Sequence, residues 1–163
     1  IFVFDYLIFL SIDKIFLQFL SNKKVWCASS THYPEEKFCG QVHKQLKKKH
    51  KNLLTIIIPR HIDRVDSIEN ELNKLNLKVH IHSSKNSFKN NTDVYLVDAY
   101  GETKSFYNFC KNVFLGGSIV NHGGQNPLEA TRYGCSVLHG PNTQNFTEIY
   151  SFLNHNKISL KVN

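Results

Sequence analysis

The chain reads as an α/β domain built on a doubly wound parallel sheet. Short runs that are apolar throughout, such as Leu53–Ile58 (LLTIII), alternate with segments whose apolar residues recur at helical spacing. Strands buried on both faces and separated by amphipathic helices are what a parallel sheet covered on both sides requires. The 163 residues suffice for one core of ordinary size.

Val25–Ser29 (VWCAS) reads as the first strand of this domain, and Pro34-Glu35-Glu36 opens a helix with proline and acids in its first turn. Phe38, Val42 and Leu46 recur every fourth residue and are expected to form its inward stripe. Leu53–Ile58 is the second strand, stopped by Pro59. A helix carrying Ile62, Val65, Ile68, Leu72 and Leu75 follows, then a strand at Lys78–His82 and a polar loop to Thr92. Asp93–Asp98 is a strand, Lys104–Lys111 a helix, and NVFLGG from Asn112 a strand running into glycines. A helix from Pro127, a strand in CSVLHGP, a helix at Phe146–Leu153 and the start of a further strand after Asn154 complete the pattern.

The first twenty residues are apolar enough to raise a membrane span, but Asp5, Asp13 and Lys14 interrupt every window. A charge at mid-bilayer costs about 2.5–3.5 kcal/mol, so a buried or partner-facing segment is the expectation. A basic start and a small-residue cleavage site are both lacking, which argues against a signal peptide. The formal charge of +7 is concentrated at Lys47–Lys51, read as a solvated helix end, with a polyanion or membrane patch as the alternative. Four cysteines without paired spacing point to a reduced chain, and His80 with His82 lacks a third ligand for a metal.

In such sheets ligands bind outside the carboxyl ends of the strands, and the unusual residues fall there. Pro59, Arg60, His61 and Arg64 form either a salt-bridge cluster or an anion site. Asp98–Glu102 is either a capped turn or a ligand contact in which Gly101 permits close approach and Glu102 accepts hydroxyl donors. Asn126-Pro127-Leu128-Glu129 reads as a capping box, with Glu129 reaching back to Asn126. That leaves Gly116, Gly117, Gly123 and Gly124 unexplained, and bare N–H groups admitting a ligand would account for them.

STHYPEE at Ser30–Glu36, PRHIDR at Pro59–Arg64, DAYGE at Asp98–Glu102, FLGGSIVNHGGQNPLEA at Phe114–Ala130 and HGPNTQNF at His139–Phe146 resemble, in order, the motifs of 3-deoxy-D-manno-octulosonic acid (Kdo) transferases. The resemblance implies one Rossmann-like half of a GT-B glycosyltransferase, the C-terminal domain that binds the donor CMP-Kdo. Residues 1–22 would then be an interdomain segment and 23–163 the donor-binding domain, trimmed at its C-terminal side. It further implies Kdo transfer to a lipid A precursor in lipopolysaccharide synthesis, at the cytoplasmic face of the bacterial inner membrane. A catalytic base would come from an N-terminal domain, and no cofactor, metal or nucleic acid would take part. A nucleotide-sugar epimerase or an inactive fragment of a split transferase are the alternatives.

Carried over residue by residue, Pro59, Arg60 and His61 match one CMP-contacting loop, Tyr100, Gly101 and Glu102 a second, and Asn126, Pro127, Leu128 and Glu129 a third. Gly124, Ser30 and Thr31 line the same edge. This sequence departs from the family pattern at Ala99, at Gln125, which stands in place of an imidazole, and at Val3, in place of a lysine.

Overall fold

The computed structural model describes residues 14–84 and 86–162; Val3 and the segment before Lys14 lie outside them. Helix α1 (Lys14–Leu20) precedes β1 (Lys24–Thr31), α2 (Glu35–Lys49), β2 (Leu53–Pro59), α3 (Val65–Lys74) and β3 (Val79–Ile81). Then come β4 (Val94–Leu96), α4 (Thr103–Tyr107), β5 (Asn112–Leu115), α5 (Leu128–Arg132), β6 (Ser136–His139), α6 (Thr147–His155) and β7 (Ser159–Lys161). The strands form one seven-stranded sheet in the order β3-β4-β2-β1-β5-β6-β7, and each recorded pairing is parallel. The expected fold class is borne out.

Alternation along β2 shows why its six apolar and β-branched residues all count. Leu54, Ile56 and Ile58 point into one core with Phe16, Phe106 and Tyr150 of α1, α4 and α6, while Ile57 points into a second with Ile68 and Leu72 of α3. Among the described residues the crossover from β3 to β4 carries no helix. Phe88 of that loop takes its place, stacked on Phe19 at 5.2 Å and against Phe16 and Tyr95.

The stripe Phe38, Val42 and Leu46 faces outward, contrary to expectation, at 40%, 46% and 36% exposure. Glu35, Glu36, Cys39, Gly40 and His43 face inward instead. Two contacts impose this rotation of α2. Gly40 lies where a β-carbon would come within 2.7 Å of Leu72, so α3 packs closely there, and His43 Nδ1 bonds Thr55 Oγ1 of β2 at 2.8 Å. Across the sheet, the in-register line Ala28, Phe114, Leu138, Leu160 becomes steadily more exposed, from 0% at Ala28 to 61% at Leu160.

All four cysteines are buried free thiols. Among the described residues no helix is long and apolar enough to cross a membrane, and no group of three His, Cys, Asp or Glu is placed to hold a metal. The basic run ends α2, with Lys47 turned in to pair with Asp93 and Lys48 bonding Gln45.

Asp93 ties α2 to the start of β4. Burial alone would raise its pKa, but hydrogen bonds from His43, Lys47 and the Lys78 N–H outweigh that and hold the carboxyl well below the usual range. The folded chain thus resists protonation of Asp93 while the unfolded chain takes a proton near pH 4. The stability this confers is present above about pH 4 and is lost as pH falls further. Urea unfolding from pH 6 to pH 2.5 is expected to show a shallower acid loss for D93N than for the unaltered chain, together with lower stability at neutral pH.

Candidate functional site

The β1 and β5 carboxyl ends flank the point where the strand order reverses, and a buried carboxylate joins them. Glu35, in the first turn of α2, is 0% exposed. Its Oε2 accepts from the N–H of Gly117 at 2.8 Å and of His32 at 2.9 Å, and its Oε1 from Ser118 at 3.1 Å and Ile119 at 3.0 Å. Successive N–H groups converging on an anion form a nest, which the protein's own side chain fills. Gly116 is required because a β-carbon there would sit 2.4 Å from the Ser30 carbonyl and 2.8 Å from Glu35 Oε2.

The expectation that the first glycine pair leaves bare N–H groups for a ligand is therefore corrected. The second pair has an internal cause too. A β-carbon on Gly123 would meet the Asn145 side chain at 2.3–2.6 Å, and one on Gly124 would meet the Asn142 carbonyl at 3.1 Å. The loop after β6 packs there, with Asn142 Nδ2 donating to the Ile119 carbonyl at 2.9 Å and Asn145 Nδ2 to that of His122 at 3.0 Å.

Three imidazoles gather on this frame. His32 stacks on His122 with centroids 4.3 Å apart, meets His61 edge-on at 5.7 Å, and has Nε2 3.4 Å from Nε2 of Gln125. Gln125 is fixed through its carbonyl, which accepts from Tyr150 Oη at 2.8 Å. Burial, then the neighbouring His122, lowers the pKa of His32, against the pull of Glu35.

Of the two arginines, Arg64 is committed. It forks onto buried Glu36 at 2.9 and 3.2 Å, which resolves this half of the cluster as structural. Arg60 is exposed and anchored only by its N–H to the Thr31 carbonyl at 3.0 Å. Pro59 is buried at the end of β2 and His61 is exposed beside Arg60.

The loop after β4 and the start of α5 come together on the other side of β1. Lys104 of α4 pairs with Glu129 of α5 at 3.4 Å, and Tyr107 Oη bonds Ser29 Oγ of β1 at 2.8 Å. Glu129 consequently does not reach back as in a capping box. Asn126 Oδ1 accepts the Leu128 N–H at 3.0 Å, but α5 begins at Leu128 rather than at Pro127, so Pro127 takes the cap position and Asn126 stands one residue before it. Glu102 pairs with His82 at 3.0 Å, Gly101 adopts φ of +82° with open space where a side chain would stand, and Tyr100 is 66% exposed. Ala99 packs on the core. Thr31 is buried and Ser30 is held at φ of +54°.

His32, His61, His122 and Gln125 thus form one open shelf at the carboxyl end of the sheet, with Arg60 next to His61, and Tyr100 and Glu129 sit on the loop after β4 and the helix after β5 at the same end of the sheet. Concavities of about 710 and 630 Å³ lie elsewhere, against β3 and under α1, and contain none of these residues. His32, Glu35, His122, Lys104 and Tyr107 were missed as site residues, although the first three lie inside the quoted motifs.

A solved structure of the C-terminal CMP-Kdo binding domain of WaaA from Acinetobacter baumannii superposes with a TM-score of 0.88 at 29% identity, covering 97% of this chain and 83% of that one. A 3-deoxy-D-manno-octulosonic acid transferase from Haemophilus influenzae is 36% identical over 153 residues, 93% of this chain. The chain is a homologue of the Kdo transferases. The Aquifex aeolicus Kdo transferase is 32% identical over 77% of this chain, and a bifunctional glycosyltransferase/methyltransferase from Fusobacterium nucleatum 35% identical over 88%. The chain spans about a third of the length of the Kdo transferases, 36% and 34% of those from Haemophilus and Aquifex. No family model matches.

Replacing the Glu35 carboxylate by an amide sets an NH₂ group against N–H donors. E35Q is expected to lower the unfolding free energy by about 3 kcal/mol. G116A, which forces a β-carbon against backbone, is expected to cost about 2 kcal/mol or more. Denaturant midpoints check both.

Proposed function

We propose that this chain is the donor-binding half of a Kdo transferase, holding CMP-Kdo for transfer of the sugar to a lipid A precursor. The observation that carries the reading is the shelf itself. Arg60, which has no side-chain partner among the described residues, leaves the carboxyl end of the same parallel sheet as the segments carrying Glu102 and Glu129, and the fold matches a CMP-Kdo binding domain, which supports the reading. In this reading Arg60 meets the donor phosphate as a fork, and Glu129 or Glu102 accepts from ribose hydroxyls. Gly101 lets the nucleotide lie against backbone, and Pro59, Pro127 and Leu128 shape the floor.

The catalytic base and acceptor pocket belong to an N-terminal acceptor-binding domain facing this shelf. The chain's share of the rate is then positioning, with the base brought to a donor already oriented. The workplace is the cytoplasmic face of the inner membrane.

Calorimetric titration tests the retained half. CMP is expected to bind with submillimolar affinity and more tightly than UDP, which separates this reading from an epimerase domain. R60A is expected to weaken CMP about tenfold or more, the loss of one charge-assisted contact, and E129A to weaken it comparably. A folded sample that ignores millimolar CMP would sink the reading.

A further inference from the structure

We propose that His32 and His122 form a second oxyanion seat on the shelf, distinct from Arg60, which takes an anionic group of the donor: its phosphate or the carboxylate of its ulosonic acid sugar. The inference rests on the donor reading above and names a subsite within it. Neither His32 nor His122 is among the positions matched to CMP contacts.

Two imidazoles stacked at 4.3 Å with a third edge-on at 5.7 Å are a poor arrangement for structure alone, since their dipoles compete and, among the described residues, no carboxylate bonds any of the three rings. The groups facing His32 account for this. Glu35 of α2 spends both oxygens on backbone N–H groups, Glu36 spends both on Arg64, and Gln125 of the β5–α5 loop offers an amide at 3.4 Å. His61 and His122 complete the surroundings from the loops after β2 and β5. Among the described residues no carboxylate oxygen bonds these rings, the charge of Glu35 reaching His32 only through space, and Arg60 stands one residue from His61 without a side-chain partner among the described residues.

Such a cluster has spare N–H capacity for an incoming oxyanion and lies where the sheet order reverses. Bringing in an anion reverses the sign of the local field. Burial and His122 keep His32 toward its neutral form in the free protein, whereas an oxyanion against it favours the imidazolium.

The imidazole Cε1–H resonances, assigned with H32Q, H61Q and H122Q, report this directly when titrated from pH 5.5 to 8. In the free chain His32 is expected to titrate below 6.5. With saturating ligand its pKa is expected to rise by about one unit, equivalent to about tenfold tighter anion binding by the protonated form. A rise with CMP identifies the phosphate; a rise with CMP-Kdo but not CMP identifies the sugar carboxylate. H122Q is expected to halve the rise or more in either case. Binding of both nucleotides with His32 unmoved overturns the seat and leaves the donor reading intact, and absence of any CMP binding overturns both. The readout is taken on the unaltered chain, so a poorly folded H32Q does not compromise it.

Discussion

The arrangement of the shelf depends on one buried carboxylate. Glu35 satisfies five backbone N–H groups, four of them in the turn that leaves β5, and it does so from the first turn of the helix that leaves β1. Two neighbouring strands are thereby locked at the height of their loops, beyond the last ladder bond. The charge is offset by the donors and by the helix end, so it can lie fully inside the protein. The rest of the loop, from His122 to Asn126, starts from this contact and is held further by Asn142, Asn145 and Tyr150.

A second buried cluster secures the opposite end of α2. His43, Thr55, Lys47 and Asp93 connect helix, central strand and the entry to β4. With Glu35 and Glu36 at the start and Lys47 at the end, α2 is oriented by polar contacts along its length, and its apolar residues are left to face outward. The helix is amphipathic in the reverse of the usual sense, which is why spacing alone misplaces its inner face.

The parallel sheet and the alternation of its strands with helices were legible because they follow from buried apolar runs, and the carboxyl-end rule directs attention to the loops that leave them. The bond that Asn126 makes at the start of α5 was legible from local chemistry. The glycines were not. Their reason lies in chain segments far away in sequence, Ser30–Glu35 for Gly116 and Asn142–Asn145 for the second pair, and no local pattern encodes such contacts. For the same reason Glu35 and Glu36 read as acids suited to a helix start, when one is the core of the site and the other is the partner that removes Arg64 from it. Lys104 took Glu129 from its capping role by a contact across 25 residues that capping rules do not consider.

The way Glu35 holds the turn has a bearing on how this region can change over generations. Its partners are backbone groups, so the grip does not depend on which side chains occupy Ile119, Val120, Asn121 and His122. A lineage can therefore vary the chemistry presented by these four positions while the path of the chain is conserved. Scaffold and reader are uncoupled within a single loop.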